Sequence, residues 1–575
     1  MCGIVGILNR SAPIDQPELL RFTDTLTHRG PDGRGALVDA NLGLGHRRLA
    51  ILDLSADGRN PMAYGGADGQ RYWITYNGEV YNFLELRAEL EGLGHVFRTG
   101  TDTEVVVAAY VQWGEDCLLR FNGMWAFAIW DHQERTLFLA RDRFGIKPLY
   151  YWNGSTRFAF ASEMKAFLAL DGFEARLDEE AARQSLANAQ AYEGTRTAAI
   201  LRGIERLPGG CSLRVRAGEN PVLRRWWNTR DHLIAVPTRY EEQVEMFRDL
   251  FLDAVRLRLR SDVAVGTCLS GGVDSSAIAS AMAHIVDKPS EMGGRSGMGR
   301  NAPDWRHAFI ACFPGTVLDE RVYADAVVAH TGAIPHHWTF DADAALGNIV
   351  DSVWATEDIY PGLTVPIWSI YREMRRQGVT VSLDGHGGDE LLGGYTWYLD
   401  WPMNRVNDGL YHDFHTGLLP SILRNFDRCS MAHGIEVRMP LMDWRLVRMA
   451  CSLGPEAKIG GGYTKRILRD SMAGIMPEAI RQRRSKLGFN SPMIEWLNGG
   501  MANLVREVVS HPFWRESPFW DGPRLGDAIL RKTAARAWSV DDWATALSVW
   551  TMMNLVIWQI LFVERAGQGR NGARP

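Results

Sequence analysis

The second residue of the chain carries two groups that could act together in nucleophilic catalysis. Cys2 directly follows Met1, and removal of Met1 would leave a thiol and a free α-amine on one residue. An α-amine has a pKa of about 7.7–8.0, against about 10.4 for a lysine, so part of it is neutral at cellular pH and can accept the thiol proton. The position of Cys2 therefore predicts a nucleophile that needs no histidine, with an incidental buried thiol as the alternative.

Five segments after Cys2 contain glycine-rich turns that expose backbone N–H groups. They are HRGPDGRG at 28–35, GHRRLAI at 45–51, YNGEVYN at 76–82, TGTDTE at 99–104 and ARDRFGIKPLYY at 140–151. In this order the segments resemble the class II glutamine amidotransferases, a branch of the N-terminal nucleophile hydrolases. Taken singly, these residues could instead have purely structural roles. Asn77 and Gly78 could form a hairpin turn, and Asp102 could cap a helix.

This resemblance implies a glutaminase site with a role for each polar residue. The thiol would attack the glutamine amide, and Asn77 with the N–H group of Gly78 would form the oxyanion hole. Arg48 would bind the α-carboxylate, because a guanidinium can donate two parallel hydrogen bonds. Glu79 and Asp102 would bind the α-ammonium group of the substrate.

A second candidate site begins at SGGVDSS, residues 270–276. The segment lies between an apolar run typical of a buried strand and an apolar run typical of a helix, so its N–H and hydroxyl groups would lie where a helix N-terminus favours phosphate. The chain has no G-x-x-x-x-G-K-[ST] motif, which argues against a loop that hydrolyses the γ-phosphate. The segment resembles the pyrophosphate loop of enzymes that adenylate a carboxylate, with a purely structural turn as the alternative.

Residues 383–395, LDGHGGDELLGGY, follow another predicted strand and contain three carboxylates. A carboxylate cluster next to phosphates needs a cation, and we expect Asp274 and Asp389 to bind Mg²⁺. Lys465, in the segment GGYTKRILRD at 461–470, has by resemblance the role of stabilising charge as pyrophosphate leaves. The alternative for this lysine is a solvated helix face.

With the segments 427–443 and 486–492, these motifs resemble the glutamine-hydrolysing asparagine synthetases over nearly the whole chain. The resemblance implies ATP and Mg²⁺ as cofactors, glutamine and a carboxylate acceptor as small-molecule partners, an ammonia channel between two sites, and a homodimer as a common assembly. The residues that it implies around the nucleotide are Cys268, Ser270, Gly271, Gly272, Asp274, Ser275, Ser276, Ala311, Asp384 and Gly385.

One position departs from the family pattern. His386 replaces the glutamate that aspartate-using members usually have, and Asp384 and Gly388 replace serines. A carboxylate at 386 could pair with the α-ammonium of aspartate, whereas a histidine pairs poorly with a cation. The acceptor is therefore either aspartate, with a displaced carboxylate at Asp384, Glu390 or residues 357–358, or another acid such as a uronic acid or a specialised metabolite.

Two further functions compete with an amide synthetase. A protein that binds glutamine or nucleotide without turnover is one, and the intact set of Cys2, Asp274, Asp389 and Lys465 argues against it. A ligase that closes an internal amide without ammonia is the other, and it would have no use for Cys2.

The elements that must position these residues fall into two groups. Residues 2–228 alternate short β-rich runs with turns and two helical patterns, which predicts an α+β sandwich of the N-terminal nucleophile hydrolase type. From 240 to 565, long helical patterns alternate with short buried strands, which predicts an α/β ATP-pyrophosphatase domain with a parallel sheet. We expect a linker at 229–239, a mobile loop at 286–304 and a disordered tail at 566–575.

Composition excludes several other classes of protein. A net charge of −5 and a pI near 6.3 argue against nucleic acid and anionic membranes as partners. Seven cysteines without a C-x-x-C pair favour neither a disulfide framework nor a zinc site, and they fit the cytoplasm. No targeting peptide is visible. The apolar stretch 550–563 is shorter than the ~20 residues of a membrane span, so we expect a buried helix.

Overall fold

The computed structural model describes residues 1–65, 70–287, 302–316, 319–484 and 491–565. Most of the expected loop at 286–304, most of the segment 486–492 and the expected tail at 566–575 lie outside the described residues. The described strands are β1 Gly3–Asn9, β2 Gly33–Asp39, β3 Leu42–Arg48, β4 Met62–Tyr64, β5 Tyr72–Val80, β6 Gly123–Asp131, β7 Thr136–Arg141, β8 Tyr150–Asn153, β9 Arg157–Ala161, β10 Ile204–Arg206, β11 Cys211–Arg216, β12 Val222–Arg225, β13 Val265–Cys268, β14 His307–Cys312, β15 Ile334–Thr339, β16 Val381–Leu383 and β17 Glu436–Arg438.

Two antiparallel sheets form the N-terminal part of the molecule. Their strand orders are β10-β8-β9-β1-β3-β2 and β12-β11-β7-β6-β5-β4. Side chains of a strand alternate between its two faces, so each sheet has one face for a shared core and one for helices. Ile4 and Leu8 of β1 belong to a core shared with Ala126 and Ala128 of β6. The predicted sandwich is confirmed.

Helices cover the outer faces of both sheets. Helices Phe83–Gly92 and Asp102–Trp113 share a core with strands β5 and β6 of the second sheet. Helix Gln16–Asp24 packs on the first sheet, where Val5 and Ile7 leave β1 on the side opposite to the shared core. The N-terminal part is therefore built in layers, with helices outside and two sheets inside.

A parallel sheet with the order β15-β14-β13-β16-β17 forms the second part. Helices connect its strands, as the alternating pattern of the sequence predicts. The predicted fold class is thereby confirmed for both parts. Its helices of eight residues or more in the described chain are Tyr240–Arg258, Val273–Asp287, Arg321–Thr331, Ile349–Thr356, Val365–Arg376, Met403–His415, Leu419–Met431, Trp444–Ser452, Ala502–Ser510, Gly522–Ala534 and Trp543–Gln559.

The C-terminal helix Trp543–Gln559 is apolar on nearly all sides. Residues Val540–Glu564 are long and apolar enough to cross a membrane, but 67% of their most apolar window is buried inside the protein. Trp550 and Trp558 pack in a core that also contains Val5 and Ile7 of the first sheet. The prediction of a buried helix is confirmed.

Candidate active sites

Cys2 lies directly before strand β1, close to the middle of β5. Its backbone N–H donates to Oδ1 of Asn77 at 3.0 Å, and its Sγ lies 4.0 Å from the carbonyl oxygen of Leu49. Burial raises the pKa of the Cys2 thiol, while the nearby terminal ammonium lowers it. Met1 is buried, and its ammonium lies 3.0 Å from Oε2 of Glu436.

Asn77 and Gly78 lie within β5, so the alternative of a hairpin turn is wrong. Asn77 is fully buried, and its Nδ2 has no hydrogen-bond partner in the described part of the chain. A buried amide that donates to nothing costs free energy, so this donor is available to a bound ligand. A Cβ at Gly78 would lie 2.3 Å from the carbonyl oxygen of Met124, so the close pairing with β6 requires glycine.

Arg48, at the end of β3, organises the loop that borders this site. Its guanidinium donates to the carbonyl oxygens of Ser55 at 2.6 Å, Leu52 at 3.4 Å and Asp53. The side chain is therefore held in one orientation by backbone groups. Gly58 also leaves room for it, because a Cβ there would lie 2.2 Å from Nη2 of Arg48.

Glu79 and Asp102 form a pair of buried carboxylates behind Asn77. Asp102 accepts hydrogen bonds from the Tyr76 hydroxyl at 2.7 Å and the Val80 N–H at 2.9 Å, and the helix cap is Thr101, so the capping alternative is wrong. Burial raises the pKa of Asp102 to about 6, and burial followed by the charge of Asp102 raises the pKa of Glu79 well above its usual value. A substrate ammonium would stabilise both ionised forms.

The second candidate site is a cavity of about 440 Å³ at the carboxyl ends of the parallel strands. Its lining includes the predicted nucleotide residues apart from Gly271 and Ser276, and it also includes His386, Asp389 and Lys465. Ligands of open parallel sheets bind at this edge, where loops and helix N-termini converge. Gln190 of the N-terminal part also contributes to the lining.

Lys465 joins the two carboxylates that we expected to bind a metal. Its Nζ lies 2.6 Å from Oδ1 of Asp389 and also contacts Asp274. Burial lowers the pKa of Lys465, but the charges of Asp274 and Asp389 outweigh it, so the net pKa lies above the usual range. Lys465 is thus buried and paired, which contradicts the alternative of a solvated helix face. Two carboxylates that converge on one cation form an oxygen donor set that fits Mg²⁺.

The predicted phosphate loop, at 270–276, follows β13 and leads into helix Val273–Asp287. The N–H of Gly272 donates to Oγ of Ser270 at 3.3 Å, and the two hydroxyls of Ser270 and Ser275 are 3.2 Å apart. Gly271 has φ +74°, and a Cβ there would lie 2.5 Å from Cβ of Tyr323, so only glycine fits.

The floor of the cavity is formed by residues of neighbouring strands. The N–H of Cys268 donates to Oδ1 of Asp384 at 3.2 Å, and the hydroxyl of Tyr371 donates to its Oδ2 at 2.6 Å. Ala311 lies on β14, next to β13.

Motif analysis missed Arg483, whose Nη1 donates to the carbonyl oxygen of Gly271 at 3.1 Å and whose Nη2 pairs with Glu320. The only signal for it is its place in a basic run, RQRR, after the predicted helices. The aromatic residues Tyr360, Tyr395 and Trp397 of the lining were also missed. Aromatic residues are common in cores, so nothing in their spacing distinguishes a binding role.

His386 lines the cavity, and its ring packs against Phe426. Its ring centroid lies 3.8 Å from that of Phe426, and its Nδ1 is buried without a hydrogen-bond partner among the described residues. Burial lowers the pKa of His386, so the ring is neutral near pH 7. Glu357 accepts from Lys165 N–H and pairs with Arg428 outside the cavity, whereas Glu390 lines it.

Comparison with known proteins matches each part of the chain to a family. Residues 1–227 match a family described as glutamine amidotransferase domain, and residues 246–410 and 402–559 match a family described as asparagine synthase. The chain belongs to the asparagine synthase family. It is a ligase of the glutamine-hydrolysing asparagine synthetase type, a family that uses ATP.

Relatives of this asparagine synthase family member align over most of their length. The chain is 28% identical to asparagine synthetase [glutamine-hydrolyzing] 1 of Bacillus subtilis, covering 98% of this chain and 97% of that protein. It is 31% identical to asparagine synthetase [glutamine-hydrolyzing] 3 of the same organism, over 84% and 86%. It is also 31% identical to amidase chry2 of Gibberella zeae, over 89% and 81%.

Proposed function

We propose that the protein makes asparagine from aspartate, with glutamine as the nitrogen donor and ATP as the energy source. The observation that carries the proposal is the convergence of Lys465, Asp274 and Asp389 next to the predicted phosphate loop. The same chain places Cys2 beside Asn77, whose Nδ2 has no partner among the described residues. We assign the glutaminase to residues 2–228 and the synthetase to residues 240–565, joined by 229–239.

The glutaminase reaction begins at the thiol of Cys2 after removal of Met1. The free α-amine accepts the thiol proton, and the thiolate attacks the amide carbon of glutamine. Nδ2 of Asn77 and the N–H of Gly78 stabilise the oxyanion. Collapse of the intermediate breaks the C–N bond, the α-ammonium returns a proton to the departing nitrogen, and water releases glutamate from the thioester.

The synthetase reaction activates a carboxylate on ATP. A carboxylate oxygen of the acceptor attacks the α-phosphorus, pyrophosphate leaves, and the ammonium of Lys465 stabilises its charge. A Mg²⁺ ion held by Asp274 and Asp389 would neutralise phosphate oxygens. Ammonia from the first site attacks the acyl carbon, AMP leaves, and the amide forms. Ammonia released into water would be protonated, so we infer a path between the sites.

A second candidate function is amidation of an acid without an ammonium group. The neutral His386 beside Phe426 favours it, because this ring can exchange hydrogen bonds with hydroxyl groups but offers no anion. Aspartate binding requires another carboxylate, and Asp384 and Glu390 in the cavity lining are the candidates.

The test is pyrophosphate release with ATP and ammonia in the presence of aspartate or a uronic acid. Rapid release with aspartate, and asparagine as product, supports the first proposal. If aspartate is inert in the native enzyme but becomes a substrate for His386→Glu, the position selects the acceptor and the second function holds. Absence of acid-dependent pyrophosphate release with either acid in both proteins would contradict both functions.

A further inference from the structure

Strand β17 of the parallel sheet directs two charged side chains at the glutamine pocket of the other domain. Glu436 and Arg438 are alternate residues of this strand, so their side chains leave the same face. Both are fully buried. Nη2 of Arg438 lies 3.4 Å from Oε1 of Glu79, and its Nε lies 2.6 Å from Oε1 of Glu436.

The guanidinium of Arg438 is held in place by backbone groups from a third element. Its Nη1 donates to the carbonyl oxygen of Arg258 at 2.7 Å and also to that of Arg260, at the end of helix Tyr240–Arg258. The negative end of the helix dipole also favours a cation at this C-terminus, so both the hydrogen bonds and the dipole stabilise this orientation of the guanidinium. Arg438 therefore presents a fixed positive charge to Glu79.

Glu79 needs such a charge, because its surroundings are mainly acidic. The groups that act on it are the carboxylates of Asp102 and Glu436, the guanidinium of Arg438 and the ammonium of Met1. Burial and the two carboxylates favour the protonated form of Glu79, and a protonated carboxyl cannot attract an ammonium. Removal of Met1 would replace its ammonium with the α-amine of Cys2, which loses its charge at about pH 7.7–8.0, whereas the guanidinium of Arg438 stays charged.

We propose that Arg438 is a positioning residue that favours the ionised form of Glu79 and orients it for the α-ammonium of glutamine, so that the synthetase domain completes the glutamine pocket. The inference rests on the proposed glutaminase role of Glu79. The same residue borders the nucleotide loop, because its carbonyl oxygen accepts the N–H of Asp384 at 2.9 Å. A variant must therefore be tested for damage to both sites.

The experiment measures kcat and KM for glutamine hydrolysis between pH 6 and 9 in the full-length protein. In Arg438→Met we expect KM to rise about tenfold or more at pH 7, with kcat changed much less, because a buried partner charge is lost. KM should then recover as pH rises and Glu79 ionises. Arg438→Lys keeps the charge and should show a smaller rise in KM. This variant also tests the proposal if Arg438→Met does not fold.

A double-mutant cycle separates positioning from general damage. If Arg438 acts through Glu79, the variant Glu79→Gln should raise KM, and adding Arg438→Met to it should raise KM little further. The inference would be overturned if the two substitutions raised KM independently, so that their effects multiplied, or if Arg438→Met left KM unchanged. It would also be overturned if Arg438→Met lowered kcat for glutamine hydrolysis and the rate of ammonia-dependent synthesis equally. Absence of glutamine hydrolysis in the native protein would instead overturn the proposed function. The role of Arg438 could then still be tested by calorimetry, by comparing the affinity for glutamine of Cys2→Ala with that of the double variant Cys2→Ala, Arg438→Lys.

Discussion

At the scale of single residues, the thiol of Cys2 and the ammonium of Lys465 lie in separate sites, and the proposed function divides the reaction between them. Cys2 contacts Asn77 and Leu49 in the N-terminal domain, whereas Lys465 contacts Asp274 and Asp389 in the second. Amide synthesis from ammonia should therefore survive the loss of the Cys2 thiol, and glutamine hydrolysis should survive the loss of the Lys465 ammonium. Single substitutions are therefore informative, because the substitution of a residue in one site should abolish one of the two activities and leave the other.

The change Cys2→Ala should abolish glutamine-dependent amide synthesis and leave ammonia-dependent synthesis near the native rate. The physical reason is that ammonia bypasses the thioester step, while the nucleotide site is untouched. Both activities are measured as pyrophosphate release with glutamine or ammonium chloride. Cys451→Ala, a partly buried cysteine that contacts neither site, is the matched control. Parallel loss of both activities in Cys2→Ala would contradict the assignment.

Glutamine binding should depend on pH through Asp102. Its pKa of about 6 lies above the usual value for an aspartate, so the carboxyl is protonated at pH 5 and ionised at pH 7. Because an ionised carboxylate attracts the substrate ammonium, KM for glutamine should fall about tenfold from pH 5 to pH 7. Asp102→Asn should have a high KM without this step, and the exposed Asp116→Asn should keep it. A native KM that is flat over this range would disprove the role of Asp102.

At the scale of elements, the sequence predicts β5 and the three-residue strand β16 but misses β17 for a physical reason. The run at 71–78 is rich in aromatic and β-branched residues, and β5 forms at Tyr72–Val80. β17 has three residues, Glu436–Arg438, of which two are charged, so it shows neither apolar alternation nor length. Its position is fixed by pairing with β16. Motif resemblance places Glu79 in the glutamine site, but its contact with Arg438 arises only from the packing of two domains.

The phosphate loop should tolerate no side chain at its glycine. Gly271→Ala would force a Cβ into Tyr323 at a positive φ, which distorts the turn that orients the hydroxyls of Ser270 and Ser275. We expect KM for ATP to rise at least about tenfold while glutamine hydrolysis is retained. Gly332→Ala is the matched control, since it has φ +67° but nothing within 4 Å of the added Cβ. Equal effects of the two substitutions on ATP would show that strain alone, and not loop geometry, is responsible.

At the scale of the whole molecule, buried ion pairs join the two domains between the sites. Arg29 donates to the Cys2 carbonyl oxygen at 3.1 Å and to the Asp427 carboxylate at 2.8 Å, and it also pairs with Glu163. Buried pairs contribute little net stability relative to apolar contacts, but they fix one relative arrangement of their partners. Arg29 thus connects Cys2 to helix Leu419–Met431, which carries Phe426 beside His386.

The interface should therefore control how much of the released ammonia reaches the acceptor. In Asp427→Asn the buried guanidinium of Arg29 loses one of its carboxylate partners. We expect this loss to lower the free energy of unfolding by about 3–5 kcal/mol and to loosen the contact of Arg29 with Cys2. We expect more glutamate formed per amide than in the native enzyme, measured in one reaction with both products quantified, and a lower melting temperature. Asp408→Asn removes a carboxylate from an exposed pair with Arg230 and should change neither quantity. An unchanged product ratio in a destabilised Asp427→Asn would mean that the pair supports stability alone and that ammonia transfer depends on other contacts between the domains.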